Sequence, residues 1–231
     1  MMDSLIIKDP LNAIAYSYRA RAKNVLEETE GAIADASQSI IIQPSFSGYY
    51  ARGFAYSKIS NYSKSISDLT KAIEINPNSY IAYEHRAFTR GLNDDIEGAI
   101  KDMNKSISIK SDRELAYNIL GELKEKQGNT DEAIELYQKS ISINPSNSNT
   151  YYLLGYARKS KGELDQAKIN FFKAIDINPD DDYSFGELGS LSLELKDYKS
   201  ALEFLDRAIL INNENEYFFQ DRSRVKIELK D

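Results

Sequence analysis

Cysteine is absent from this chain of 231 residues, so it has no disulfides, zinc–thiolate sites or cysteine nucleophiles. Tryptophan is also absent, and His85 is the single histidine. No apolar run approaches the roughly 18 residues of a membrane-spanning helix. The N-terminus, MMDSLIIKDP, lacks the basic start and long apolar stretch of a secretory signal. We therefore predict a cytoplasmic protein that neither spans nor binds a membrane.

Basic residues are fewer than acidic residues, with 29 lysines and arginines against 36 aspartates and glutamates. The formal net charge is −7 and the isoelectric point about 5.0, with 28% charged and 42% hydrophobic residues. Binding to a phosphate backbone requires clustered lysine and arginine, so we expect no nucleic-acid partner. The charges are interspersed along the chain, which is typical of the solvated surface of a folded protein.

Proline is scarce but regularly placed. Successive prolines are 34, 33, 68 and 34 residues apart, and the slot skipped by the 68-residue interval holds Ser111. The prolines are Pro10, Pro44, Pro77, Pro145 and Pro179. A fixed period of this length is the signature of a repeat protein.

Six tandem units emerge when each is numbered from position 1, with the proline slot at position 32. Position 4 is aromatic in all six, positions 8 and 20 are small, and position 28 is always isoleucine. The position 4 residues are Tyr16, Tyr49, Tyr83, Tyr117, Tyr151 and Phe185, and the position 28 residues are Ile40, Ile73, Ile107, Ile141, Ile175 and Ile209. Such regularity predicts one structural unit repeated six times.

Each unit contains two stripes at helical spacing. Positions 4, 7, 8 and 11 form one stripe, and positions 20, 24, 27 and 28 form another. Turn residues such as Gly128-Asn129 separate the stripes, and the proline ends the second helix. Small residues at positions 8 and 20 allow close approach of the helices, with the position 4 aromatic expected beside them. The alternation in IEI, ISI and IDI resembles a strand, but we interpret these isoleucines as a helix end.

These positions resemble the tetratricopeptide repeat, and LGELKEKQGNTDEAIELYQKSISINP (120–145) is a close match. The resemblance implies an all-α fold, an α-solenoid of antiparallel helix-turn-helix units wound as a right-handed superhelix. Arginine replaces leucine at position 7 in the first three units, as Arg19, Arg52 and Arg86. We predict a single domain over 1–231. Its parts are an N-terminal stub (1–12), repeats at 13–45, 46–79, 80–113, 114–147, 148–181 and 182–215, and a capping helix (216–231).

The stub contains LIIKDP (5–10), which we interpret as the last turn of a preceding helix. Two hypotheses remain open: a natural ragged start, or a piece of a longer repeat array. The helix predicted at 216–231 would cover the exposed end of the last pair.

Candidate chemistry is sparse. His85 suits a general base or a pH sensor, but packing without a catalytic role is the expected use of a lone histidine. The acidic clusters NDD (93–95) and DDD (180–182) suit calcium, yet the same residues cap helices and form turns. There is no glycine-rich phosphate loop. We predict no catalytic residues, no cofactor and no metal site.

In the family resembled, positions 2, 5, 9 and 12 of each first helix line a concave groove. In this chain those positions hold many aromatic residues, which favours a recognition surface. The alternative is that these rings pack against neighbouring helices. The predicted contact residues are Tyr50, Phe54, Glu84, Phe88, Asn118, Glu122, Tyr152, Tyr156 and Tyr183.

The function expected from these observations is a non-enzymatic scaffold that binds an extended peptide or a partner helix in this groove. Two alternatives stay open: a self-assembly module with weak self-association, and a regulatory segment of a larger enzyme. The partner cannot be named from the sequence. We expect no carboxylate clamp of the chaperone-binding kind, because no window of repeats holds its lysine, asparagine and arginine pattern.

Overall fold

The computed structural model describes residues 2–229, and within that range it has 14 helices and no strand. Residue 1 of the predicted stub and residues 230–231 of the predicted capping helix lie outside the described residues. The helices are α1 (Met2–Lys8), α2 (Ala13–Val25), α3 (Thr29–Ile42), α4 (Phe46–Lys58), α5 (Tyr62–Ile75), α6 (Tyr80–Leu92), α7 (Ile96–Ile109), α8 (Glu114–Lys126), α9 (Thr130–Ile143), α10 (Ser148–Ser160), α11 (Leu164–Ile177), α12 (Asp182–Glu194), α13 (Tyr198–Ile211) and α14 (Glu216–Leu229).

Helices α2 to α13 form six antiparallel pairs, and α14 follows as a final single helix. The predicted fold class of helical-hairpin repeats is confirmed. Contacts divide the chain into two compact units, the first ending at Asp112 and the second beginning at Arg113. The first unit holds α1–α7 and the second α8–α14. The single-domain extent stays a prediction.

Local sequence explains where the helices begin and end. The side chains of Ser45, Ser79 and Asp181 each accept a hydrogen bond from a backbone N–H in the first turn of the helix that follows. Gln43, directly before Pro44, has extended backbone (φ −153°, ψ 111°), as expected for a residue preceding proline. The alternating isoleucine segments belong to the second helices, so their interpretation as helix rather than strand is confirmed.

Close packing within a pair depends on the small residue at position 8. A Cβ atom added to Gly121 would lie 2.4 Å from Cε1 of Tyr137, and one added to Gly155 would lie 2.7 Å from Cε1 of Phe171. The large side chain over each glycine therefore comes from position 24 of the second helix. That the position 4 aromatic lies beside these small residues stays a prediction; in the first three repeats its ring lies close to the guanidinium at position 7.

In the first unit, position 7 carries an ionic contact between the two helices of each pair. Arg86 donates from Nε and Nη2 to the two carboxylate oxygens of Asp102, at 2.8 and 2.7 Å. Arg52 and Asp68 repeat the contact at 2.7 and 3.0 Å. Arg19 and Asp35 form the third such pair. The guanidinium of Arg86 lies 5.6 Å from the centre of the position 4 ring of Tyr83.

The same arginines reach back to the preceding pair. Nη1 of Arg52 donates to Oγ of Ser37 at 3.2 Å, and Nη1 of Arg86 donates to Oγ1 of Thr70 at 2.9 Å. Both hydroxyls occupy position 25 of the preceding second helix. Each arginine therefore joins three helices through one planar group with several donors.

Helix α1 takes the place of a second helix beside α2. Nη1 of Arg19 donates to Oδ1 of Asp3 at 2.6 Å, which is the contact that Ser37 and Thr70 make further along the chain. Asp3 thus stands where position 25 of a preceding repeat would stand. The segment 5–10, expected to include a last helical turn, contributes its first residues to α1.

The second unit uses leucine at position 7. Leu120, Leu154 and Leu188 are buried, and Leu188 packs with Ala167 and Phe171. At the end of the unit, Phe218 and Val225 of α14 lie in one buried cluster with Leu205 of α13. At position 7 the contact here is apolar rather than ionic, and apolar burial is the dominant favourable contribution in most folds.

Candidate functional site

The residues at positions 2, 5, 9 and 12 of the first helices define what we call the first-helix face. In the first unit this face is described on α4 and α6, and in the second unit on α8, α10 and α12. The two units are considered separately.

On the first unit, Tyr50 and Phe54 lie against the ring of His85. The ring centres of Tyr50 and His85 are 5.3 Å apart, and those of Phe54 and His85 are 4.9 Å apart. Tyr50 Oη lies 3.3 Å from His85 Nε2. Burial raises the pKa of Tyr50 to about 12, so its hydroxyl stays protonated at neutral pH. These rings pack α4 against α6 and are only partly open to solvent.

Phe88 has a different environment. Its side chain is 54% exposed, one helical turn beyond Glu84. Glu84 is buried, and its Oε1 accepts a hydrogen bond from Oγ of Ser106 at 3.2 Å. Of the residues that the sequence predicted on α6, Phe88 presents a ring to solvent, while Glu84 takes part in the contact between α6 and α7.

On the second unit, Asn118 is also withdrawn from the surface. It is 1% exposed, and its Nδ2 donates to Oγ1 of Thr150 at 2.8 Å. It therefore joins α8 to α10. Asn118 and Glu84 both occupy position 5, and each is buried against a neighbouring helix, α10 for Asn118 and α7 for Glu84.

Glu122 and Glu125 place two carboxylates on the same face of α8. Burial raises the pKa of Glu122, and repulsion from Glu125 raises it further. Burial also raises the pKa of Glu125, against the opposing effect of its hydrogen bond from Tyr137 Oη at 2.6 Å. Glu125 was not predicted as a contact residue. The sequence feature that could have identified Glu125 is its place at position 12, three residues after Glu122.

Three tyrosines form a cluster on α10 and α12. Ring centres are 6.4 Å apart for Tyr152 and Tyr156, and 5.9 Å apart for Tyr152 and Tyr183. The ring centre of Tyr152 also lies 6.1 Å from that of Phe171. Because Phe171 is fully buried, this contact holds Tyr152 in place. Tyr156 is 47% exposed and Tyr183 is 55% exposed. The structure therefore brings these three predicted residues together and leaves two of the rings open to solvent.

A small cavity adjoins this cluster at the junction between α11 and α12. It contains the DDD segment (180–182) considered for calcium. Its lining consists of Ser148, Asn149, Tyr152, Asn178, Asp180, Asp181, Asp182 and Tyr183.

The acidic clusters have structural roles. Asp181 caps α12 by accepting from the backbone N of Ser184 at 3.2 Å and from its Oγ at 2.7 Å. Asp182 accepts from Nδ2 of Asn212 at 2.8 Å. In the NDD cluster, Asp95 caps α7 through the backbone N of Gly98. Across residues 2–229, no group of three or more His, Asp or Glu side chains is placed to hold a metal ion.

None of the helices described between residues 2 and 229 has the length and apolar character required to cross a membrane.

Family models agree with the repeat geometry. The model described as tetratricopeptide repeat matches 46–79, 148–181 and 183–215, and the model described as TPR repeat matches 125–162. Together these matches cover more than half of the chain. This chain belongs to the tetratricopeptide repeat family. The predicted recognition, six tandem repeats followed by a further helix, is confirmed.

Solved structures of other tetratricopeptide repeat proteins are similar to this one. MamA is 27% identical with a TM-score of 0.65, covering 69% of this chain and 94% of its own. PilF of Pseudomonas aeruginosa is 12% identical with a TM-score of 0.78, covering 92% of this chain and 97% of its own. YrrB, described as a TPR protein with an unusual peptide-binding site, is 19% identical with a TM-score of 0.66, covering 80% and 95%.

No curated protein matches the sequence of this chain. The family and these structural relatives support a protein-interaction scaffold in general terms.

Proposed function

We propose that this tetratricopeptide repeat protein is a non-enzymatic scaffold that binds an extended peptide or a partner helix on its first-helix face. The observation that carries the proposal is the tyrosine cluster of the second unit. Tyr156 and Tyr183 leave about half of their side-chain surface in water. Large aromatic rings held in place before binding are the residues that most often dominate interface energies.

The tyrosine cluster packs on a buried side chain, which favours a role in recognition over exposure without a function. Tyr152 is fixed between the buried Phe171 and the two exposed rings, so the rings lose little freedom when a ligand covers them. The first unit offers the exposed ring of Phe88 as a further contact. Glu84 and Asn118 are left out of the proposed contact surface because both are buried within the fold.

YrrB supports the proposal in kind, because it has a related fold and is described as having a peptide-binding site. Its identity to this chain is 19%, so its binding residues are not transferred.

The test is selection of binders from a phage-displayed library of random peptides, followed by calorimetry with the synthesised peptides. The variant Tyr156→Ala/Tyr183→Ala should weaken binding by at least about tenfold, the loss expected for central aromatic anchors. Ile169→Ala is the matched control, because Ile169 is 59% exposed on the second helix α11 and lies off this face.

Circular dichroism should show the same helix content in all three proteins. The proposal fails if no binders are selected, or if the double variant binds the selected peptides as well as the unmodified chain does.

A further inference from the structure

The cavity lined by Tyr152 and Tyr183 has a chemical character that goes beyond an aromatic contact. Two tyrosine rings with centres 5.9 Å apart line it. Asn149 and the carboxylates of Asp180 and Asp181 line it as well. A site lined by both aromatic rings and carboxylates matches a cation carried on an aliphatic stem.

Of the acidic side chains of this cavity, Asp181 is fixed in place and Asp180 is only weakly paired. Asp181 is held by its two hydrogen bonds from Ser184, neither of which carries a positive charge. Asp180 lies 3.6 Å from Nη2 of Arg207 in an exposed pair, which is a weak contact in water. A carboxylate has about four lone-pair sites, so Asp181 can still accept from a ligand.

The tyrosine rings contribute a second attraction for the same kind of group. A lysine or arginine placed over a ring face is attracted by the ring quadrupole, and the attraction grows as water is excluded. Tyr183 is more than half exposed, so one face of its ring is open to such a group. The methylene stem would pack on the same ring.

Further charge on the second unit's first-helix face has the same sign. Glu122 and Glu125 occupy positions 9 and 12 of α8, the positions that Tyr156 and Lys159 occupy on α10. Nζ of Lys159 is already held by Glu187 at 2.9 Å. Burial raises the pKa of Glu122, and repulsion from Glu125 adds to this against the opposing charge of Lys126. This acidic setting would attract a basic segment and repel an acidic one.

We infer that the second unit selects peptides that carry a lysine or arginine side chain, which lies over the exposed ring of Tyr183 and pairs with Asp181 and Asp180. This inference rests on the proposed function and specifies its ligand class. The complementary chemistry is a basic residue within an otherwise uncharged or basic segment.

The test uses the phage-displayed random library against the full chain. Lysine and arginine should be enriched among the selected peptides. The best binder is then synthesised twice, once as selected and once with its basic residue replaced by norleucine, which keeps the stem and removes the charge. Each peptide is titrated against the unmodified chain and against Asp180→Asn/Asp181→Asn.

Asparagine keeps the helix cap while removing the charge, as Asn12 does at the start of α2. Asp197→Asn is the matched control, because Asp197 is also an N-cap aspartate, accepting from Ser200, but it begins α13 and does not line the cavity.

Norleucine and the double variant should each weaken binding about tenfold, as expected for loss of a charge-assisted contact, and the two changes combined should cost no more than either alone. Asp197→Asn should change affinity less than about twofold.

Two results would overturn the inference while leaving the proposed function in place. One is a set of peptides that needs Tyr156 and Tyr183 but shows no enrichment in basic residues. The other is full additivity of the peptide and protein changes. If no selected peptide depends on Tyr156 and Tyr183, the proposed function itself fails, and the inference fails with it.

Discussion

Removal of the Asp102 carboxylate should destabilise the first unit more than any other single change to an ionic contact there. Asp102 is 2% exposed and accepts from Arg86 at 2.8 and 2.7 Å and from Nη1 of Arg90 at 2.8 Å. Asp102→Ala leaves two guanidinium groups without their main partner in a water-poor site. Breaking a buried ion pair from one side costs about 3–5 kcal/mol.

The chain itself provides the compensating change. Repeat four carries leucine at both equivalent positions, as Leu120 and Leu136. Arg86→Leu/Asp102→Leu should therefore recover part of the lost stability, since apolar replacement of both partners of a buried pair is often close to neutral, while Arg90 keeps its bond to the Gly98 carbonyl at 3.1 Å. Thr70, which loses the donor of Arg86, keeps its bond to the carbonyl of Ile66.

The measurement is urea unfolding followed by circular dichroism, with the midpoint and slope compared among variants. Arg222→Leu is the control, because its contact with Asp206 at 3.0 Å is exposed and should be worth less than about 1 kcal/mol. The reasoning is refuted if Asp102→Ala costs no more than the control. It is also refuted if the double-leucine variant is as unstable as Asp102→Ala.

Two further predictions concern the second unit. Gly121→Ala should lower stability by about 1–3 kcal/mol, because its Cβ would lie 2.4 Å from the Tyr137 ring, and urea unfolding measures it. Helix propensity alone would make alanine more favourable than glycine, so an unchanged or raised urea midpoint for Gly121→Ala would contradict the crowding argument. Glu122→Gln should raise the urea midpoint at neutral pH but not below the ordinary glutamate pKa of 4.5. A raised pKa means that the folded state binds the proton more tightly, so stability falls as pH rises from that value through the raised pKa. A pH-independent effect of Glu122→Gln would contradict this.

The repeat lattice made the fold predictable, because helix pairing depends on short-range spacing. Proline slots, small residues at position 8 and isoleucines at position 28 were sufficient to place the helix pairs. The sequence also contained a signal for the arginine contacts. Arginine at position 7 is followed 16 residues later by aspartate in the first three repeats, as with Arg52 and Asp68, and neither occurs there in the next three.

The state of individual face residues could not be predicted in the same way. Glu84 and Asn118 are buried because Ser106 and Thr150, on neighbouring helices, offer each a hydrogen-bond partner. Such partners depend on how helices from different parts of the chain meet, and periodicity says nothing about them. The acidic cavity was missed for a similar reason, since its tyrosines and aspartates come from two helices and the loop before α12.

The position 7 arginine also constrains how this gene can grow by duplication. The Nη1 donor of each arginine requires a hydroxyl or carboxylate at position 25 of the preceding repeat, as Ser37, Thr70 and Asp3 provide. A copy of repeat two inserted after repeat one or two would meet a compatible neighbour. The same copy inserted after repeat five would set Arg52 against the ring of Phe172. A junction of that kind is therefore penalised even though every repeat has the same fold, whereas one after repeat six would offer Asp206 at position 25, which already accepts from Arg222.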